Sequence, residues 1–128
     1  MAKVAAALLR DAFIEPIRFA LLVDDKFPIY PALAEGKFDA ALDNPRAKAL
    51  FDLCRSRGWL CDVDNRGSVA ARFEEDKHLH QSDLLILDFN LDPADQDDPT
   101  AALNILQRLS ASDHFNLVIV YTNATRRR

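Results

Sequence analysis

Three short aliphatic runs, each closed by polar residues at its carboxyl end, constrain the fold of this chain more than any other feature. The runs are Leu21–Val23, Leu84–Leu87 and Leu117–Val120. Uninterrupted Val, Ile and Leu over such lengths are typical of strands buried on both faces, as in a parallel sheet with helices on either side. In such a sheet, ligands and chemistry collect beyond the carboxyl ends of the strands. We therefore expect the residues that close the runs to share one edge of the sheet.

The residues that close the runs form the candidate functional site. Asp24 and Asp25 follow the first run, Asp88 follows the second, and Thr122 follows the third after one tyrosine. Negative charges that converge in one crevice repel each other unless a cation lies between them. Mg²⁺ accepts oxygen ligands and usually keeps several waters, so it fits two or three carboxylates together with a backbone carbonyl. The pattern indicates a cation site that contains a nucleophile.

Strand and helix patterns alternate along the chain and predict its architecture. The predicted strands are Phe19–Val23, Trp59–Val63, Asp83–Asp88 and Asn116–Tyr121. The predicted helical segments between them are a turn over Pro31–Glu35, a helix that starts at Pro45 and ends at Gly58, a short helix from Ser68 to about His78, and a helix that starts at Asp98-Pro99. Alternation of this regularity predicts an α/β fold with a doubly wound parallel sheet.

The first residues form a further helical pattern, from about Ala2 to Phe13, with Val4, Leu8 and Leu9 on one side. The apolar stretch is short for a signal peptide, and charged residues follow it directly. We therefore expect residues 1–17 to be an N-terminal helical extension that packs on the domain.

Composition argues against several classes of function. At 128 residues the chain forms a single domain, and its net charge of -4 offers no basic surface for direct nucleic-acid binding. No apolar run approaches the ~20 residues needed to cross a bilayer, so no membrane association is expected. Cys54 and Cys61 are isolated among aliphatic neighbours, which is typical of unpaired core thiols in a reducing cytoplasm.

The residues around the three strand ends resemble the receiver domain of two-component response regulators. The resemblance rests on Ala20–Asp25, Leu85–Leu91 and Val118–Asn123, and it covers about residues 18–123. It implies a flavodoxin-like sheet, a histidine kinase or histidine phosphotransfer protein as the phosphoryl donor, and a C-terminal effector region or partner protein as the output.

The resemblance also implies a role for each site residue. Asp88 matches the phosphoacceptor, and Thr122 matches the switch hydroxyl that hydrogen-bonds the phosphoryl group. Asp25 and Asp88 match direct Mg²⁺ ligands, Asp24 matches a residue that acts mainly through water, and the backbone carbonyl of Asn90 completes the protein ligands. Whatever the family, a carboxylate attacks a phosphoryl group only when their mutual repulsion is neutralised.

The chain departs from the family pattern at its carboxyl end. It reaches Arg128 without a sequence for the fifth strand and its lysine, so we expect strand order 2-1-3-4 with the C-terminal part of the fold missing. Lys26 lies near the acidic pair, but its spacing does not identify it as the replacement for that lysine. Because Leu117–Tyr121 would then form an uncovered, uncharged edge strand, a homodimer through this strand is expected.

Two alternative functions stay open at this point. A degenerate receiver would bind partners without being phosphorylated; the missing lysine favours this alternative, and the retained carboxylates argue against it. A Mg²⁺-dependent phosphohydrolase would use the same acids but would have to turn over a free substrate. We expect no enzymatic activity beyond the phosphorylation and dephosphorylation of the receiver itself.

Overall fold

A computed structural model of the protein describes residues 2–27, 45–66, 79, 81–91 and 98–122. Its elements, in chain order, are α1 (Ala2–Leu9), a π-helical segment (Arg10–Ile14), β1 (Phe19–Val23), α2 (Pro45–Ser56), β2 (Leu60–Asp64), β3 (Leu84–Asp88), α3 (Thr100–Ser110) and β4 (Leu117–Tyr121). The four expected strands are present, and their ends differ from the expected ends by at most one residue. The turn expected over Pro31–Glu35 and the helix expected from Ser68 lie outside the described residues.

The four strands form one parallel sheet of order β2-β1-β3-β4. At the carboxyl end of β1, Val23 pairs with Asp64 of β2 and with Leu87 of β3. At the carboxyl end of β3, Asp88 pairs with Tyr121 of β4. The predicted fold class and strand order are therefore confirmed, and all four strand ends lie at one edge of the sheet.

Successive strand residues point to opposite sides of the sheet, and a helix covers each side. On one face, Leu21 and Leu85 pack in a buried cluster with Ile105 of α3. On the other face, Leu22 and Ile86 pack in a second cluster with Ala47 and Cys54 of α2. The strands β1 and β3 are thus buried on both sides, as their uninterrupted aliphatic sequence predicts.

The end of α2 shows how local sequence sets the entry to the next strand. Gly58 has a φ of 72°, a left-handed conformation that glycine adopts without steric cost. The N–H of Gly58 donates to the carbonyl of Arg55 at 3.1 Å, and the N–H of Trp59 donates to the carbonyl of Cys54 at 2.9 Å. This pair of bonds is a Schellman motif, which satisfies the last helical carbonyls and turns the chain into β2.

The amino ends of β1 and β3 are joined by one carboxylate. Asp83 Oδ2 accepts the N–H of Arg18 at 2.9 Å and the N–H of Phe19 at 3.0 Å. Because these donors belong to the residues that open β1, the contact fixes where β1 starts relative to β3. It therefore helps to align the two carboxyl ends at which the candidate site lies.

One apolar surface differs from expectation, and a second agrees with it. The side of α1 that was expected to pack is exposed among the described residues, with Val4, Leu8 and Leu9 63%, 64% and 58% accessible. Helical spacing specifies which residues share a face but not which surface covers that face. In β4, Ile119 and Val120 are 49% and 44% exposed, as expected for a strand at the edge of the described sheet with β3 beside it.

Candidate functional site

Three aspartates converge at the carboxyl edge of the sheet. Asp24 and Asp25 follow the last residue of β1, and Asp88 is the last residue of β3, the strand next to it. One carboxylate oxygen from each of the three lies within 4.8 Å of the others. Asp24 and Asp88 are each 1% exposed, and Asp25 is half-buried. The parallel pairing of β1 with β3 is what brings residues so distant in sequence into one cluster.

The turn after β1 holds Asp24 in place. The N–H of Lys26 donates to Asp24 Oδ1 at 2.8 Å, and the N–H of Phe27 donates to the Asp24 carbonyl at 3.2 Å. Asparagine and aspartate side chains commonly form such bonds with the backbone two residues on. The Phe27 side chain is only 3% exposed and anchors the far end of the turn in the core.

Asp88 is a buried carboxylate whose negative charge is only partly compensated. Burial raises the pKa of Asp88 above its ordinary value, and the charges of Asp24 and Asp25 raise it further. The backbone N–H of Asn90, which donates to Asp88 Oδ1 at 3.0 Å, and the charge of Lys26 act in the opposite direction. The ionised form of Asp88 is therefore less favoured than that of an aspartate in water, and a further positive charge in the site would favour it.

Thr122 lies directly after β4, beside the end of β3. Its hydroxyl donates to the side-chain Oδ1 of Asn90, whose own backbone N–H donates to Asp88. Asn90 is 5% exposed, whereas Thr122 is exposed. The structure thus places the Thr122 hydroxyl at the edge of the acidic cluster, where Asn90 connects it to Asp88 through two hydrogen bonds.

Tyr121 belongs to the site, although sequence reasoning did not select it. Its hydroxyl donates to Asp24 Oδ2, and burial together with this carboxylate raises the pKa of Tyr121 well above its ordinary value. The guanidinium carbon of Arg46 lies 5.4 Å from the centre of its ring. Its position in the sequence could have identified Tyr121 as a site residue, because a residue that closes the strand beside Asp88 lies at the same edge of the sheet.

Asp64 is a further strand-end carboxylate that sequence reasoning left out, although it directly follows the predicted strand Trp59–Val63. It is 1% exposed, and Arg66 pairs with it: the guanidinium of Arg66 lies 2.9 Å from Asp64 Oδ2, and the Arg66 N–H donates to Asp64 Oδ1 at 2.8 Å. Its charge is therefore balanced locally by Arg66.

The donor set of the cluster fits a hard divalent cation. Asp24, Asp25 and Asp88 offer three carboxylate oxygens at one point, and Mg²⁺ binds through carboxylates while keeping several of its waters. Burial and, to a smaller extent, the charges of Asp24 and Asp25 raise the pKa of Asp88, and a bound cation would remove the repulsion between these charges. Asn90 lies beside the cluster, and the role of its backbone carbonyl as a further ligand stays a prediction.

The family of the chain follows from comparison with known proteins. The family model of the response receiver domain matches residues 16–127. Because this match spans most of the chain, the protein belongs to the response receiver domain family. No curated protein and no solved structure matches the chain significantly. Among the described residues, no helix has the length and apolar character required to cross a membrane.

Proposed function

We propose that this protein is the phosphoacceptor receiver module of a two-component signalling system, phosphorylated on Asp88 in the presence of Mg²⁺. The observation that carries the proposal is the convergence of Asp24, Asp25 and Asp88 at the carboxyl edge of a parallel sheet, in a chain of the response receiver family. Membership of the family supports a phosphoacceptor module, and the cluster supports Asp88 as the acceptor.

The proposed reaction is the transfer of a phosphoryl group to a carboxylate oxygen of Asp88. A new O–P bond forms, the bond between phosphorus and a donor histidine nitrogen breaks, and the donor imidazole keeps the electron pair and later takes up a proton. Asp88 must be ionised to attack, and the N–H of Asn90 and the charge of Lys26 favour that form. A bound divalent cation supplies the remaining neutralisation of negative charge. Asp25 and Asp88 would hold this cation directly, with Asp24 acting mainly through water and the Asn90 carbonyl beside them.

Thr122 is proposed as the residue that senses the product. Its hydroxyl donates to Asn90 Oδ1, so it has a hydrogen-bond partner that a phosphoryl oxygen on Asp88 can replace. A charged acceptor is bound more strongly than the neutral amide oxygen. When the Thr122 hydroxyl exchanges Asn90 Oδ1 for the phosphoryl oxygen, Thr122 would move. This movement directly after β4 would change a surface that another protein recognises.

The partners follow from this assignment. A histidine kinase or a histidine phosphotransfer protein would donate the phosphoryl group in the cytoplasm, and a C-terminal effector region or a partner protein would receive the signal. The chain would act as one receiver-like domain, with residues 1–17 as a helical extension that precedes most of the matched region. A homodimer through β4 is also proposed, since this strand lies at the edge of the described sheet.

The proposal is tested by labelling the purified protein with acetyl phosphate, or with beryllofluoride as a mimic, with and without Mg²⁺. We expect Mg²⁺-dependent modification that mass spectrometry assigns to Asp88 and that Asp88→Asn abolishes. Asp52→Asn is the matched control, because Asp52 lies on the exposed surface of α2 in an ion pair with Lys48.

The same experiment separates the alternatives. Labelling of another aspartate would contradict the assignment of Asp88. A protein that binds Mg²⁺ but is never labelled by a phosphoryl donor would be a degenerate receiver that acts by binding alone. Sustained release of phosphate from a free substrate, well beyond one turnover per molecule, would identify a phosphohydrolase instead.

A further inference from the structure

Two consecutive residues at the end of β4 bond to different parts of the acidic site. The hydroxyl of Tyr121 donates to Asp24, and the hydroxyl of Thr122 donates to Asn90. β1 and β4 are not neighbours, because β3 lies between them. With strands about 4.8 Å apart, the Tyr121 side chain has to cross the end of β3, where Asp88 lies, to reach Asp24.

This contact gives Asp24 a donor on each of its carboxylate oxygens. Lys26 N–H donates to Oδ1 at 2.8 Å, and the Tyr121 hydroxyl donates to Oδ2. A carboxylate held at both oxygens has one orientation, and each oxygen keeps a lone pair for a further contact. Without the second donor, Asp24 Oδ2 is less restrained against repulsion from the negative charges of Asp25 and Asp88.

The tyrosine itself is held firmly enough to act as a support. Its ring packs against the core cluster on the α2 side of the sheet. Arg46, from the first turn of α2, lies over the ring at 5.4 Å from the centroid. Cation–π contacts of this kind help to fix an aromatic ring. The position of the hydroxyl is therefore set by two structural elements other than β1.

We propose that Tyr121 is a positioning residue of the cation site: its hydroxyl holds the Asp24 carboxylate in the orientation that a divalent cation, or a water bound to it, requires. This inference rests on the proposed function, because it concerns the same site. Partners that orient metal-binding groups from outside the ligand set are worth about 10–100-fold in metal affinity. The hydroxyl of Tyr121 occupies that place for Asp24.

The test is calorimetric titration of MgCl₂ into the wild-type protein, Tyr121→Phe, Asp24→Asn and the double variant. We expect Tyr121→Phe to bind Mg²⁺ about 10-fold more weakly than the wild type. In the Asp24→Asn background the same change is expected to have no further effect, because the hydroxyl acts through the Asp24 carboxylate. Ser82→Ala, which removes a buried hydroxyl at the opposite end of β3, is the control and should leave Mg²⁺ affinity unchanged.

An ultraviolet difference spectrum of the tyrosine absorption, recorded with and without Mg²⁺, is a second measurement. A purely structural role of Tyr121 would give no Mg²⁺-dependent change in this spectrum. Mg²⁺ should perturb the tyrosine absorption of the wild type, because it alters the acceptor of the Tyr121 hydroxyl, and this signal should be absent in Tyr121→Phe and in Asp24→Asn. Unchanged or tighter Mg²⁺ binding by Tyr121→Phe, or an equal loss in the Asp24→Asn background, would overturn the inference alone. A wild-type protein that binds no Mg²⁺ would overturn the proposed function as well.

Discussion

Replacing Asp88 with asparagine is expected to stabilise the protein when no divalent cation is present. In Asp88→Asn the side chain keeps its shape and its Oδ1 acceptor for the Asn90 N–H, but it loses the charge that Asp24 and Asp25 repel. Loss of a buried acidic group more often destabilises a protein. The opposite sign is therefore a specific consequence of three carboxylates at one point.

The magnitude follows from the distance between the carboxylates. Two unit charges at 4.8 Å, the upper limit of the spacing between the three carboxylate oxygens, repel by about 3.5 kcal/mol at an effective dielectric constant of 20, and by about 0.9 kcal/mol in water. Asp88 faces Asp24 and Asp25, but the charge of Lys26 and the hydrogen bond from Tyr121 to Asp24 offset part of this repulsion. We expect the free energy of unfolding to rise by about 1–3 kcal/mol in Asp88→Asn.

Urea unfolding in EDTA, followed by circular dichroism, measures this difference, with Asp52→Asn as the control for loss of one exposed acidic charge. With Mg²⁺ the wild type should become the more stable of the two proteins. At 100 times its dissociation constant a ligand stabilises the protein that binds it by about 2.7 kcal/mol, and Asp88→Asn does not receive this stabilisation. An Asp88→Asn protein that is equally stable or less stable than the wild type in EDTA would refute the reasoning.

The pH dependence of the same comparison has a definite sign. Because the folded-state pKa of Asp88 is raised, the folded protein binds more protons than the unfolded chain between the ordinary carboxyl pKa and the raised value. The Asp88 contribution to wild-type stability therefore falls as the pH rises through that window. The advantage of Asp88→Asn in EDTA should shrink as the pH is lowered toward about 3.9, the ordinary aspartate pKa.

Four further experiments test the rest of the account. Asp25→Asn should abolish measurable Mg²⁺ binding in a calorimetric titration, and binding equal to the wild type would contradict its role as a ligand. Asp83→Ala removes the acceptor of the Arg18 and Phe19 N–H groups and should lower the free energy of unfolding by about 1–3 kcal/mol. Gly58→Ala should lower the free energy of unfolding by about 1–2 kcal/mol, because φ is 72° at this position. An unchanged urea midpoint would contradict this stabilising role of Gly58. Sedimentation at high micromolar concentration should show a dimer through β4, and a clean monomer would reject that interface.

The fold was predictable where a strand is buried on both faces. Leu21–Val23 and Leu84–Leu87 are uninterrupted aliphatic sequence, and the structure buries every residue in both. β4 has a similar sequence, yet Ile119 and Val120 are about half exposed. The sequence pattern reports that a strand can be covered on both faces, whereas its coverage depends on which elements lie beside it. The same limit explains why, among the described residues, α1 has an apolar side without a surface that covers it.

The convergence of the carboxylates was predictable because it depends on topology alone. Asp24 and Asp88 close two runs of buried strand, and parallel pairing brings such ends together whatever the side chains do. Asp64 also follows a predicted strand, but it escaped prediction because β2 is not one of the three uninterrupted aliphatic runs from which the site was selected. Its charge would not have been informative in any case, since Arg66 balances it.

The contact between Tyr121 and Asp24 could not be predicted in the same way, because it spans two strand spacings and depends on the direction of one side chain. The end of β4 nevertheless contacts the site through two consecutive residues: Tyr121 bonds to Asp24, and Thr122, directly after the strand, bonds to Asn90. Asp88 lies next to both acceptors, since it clusters with Asp24 and accepts the Asn90 N–H. A change of charge at Asp88 therefore acts on both bonds at once. A single strand end is thereby linked both to the residues proposed to hold the cation and to the residue proposed to report the phosphoryl group.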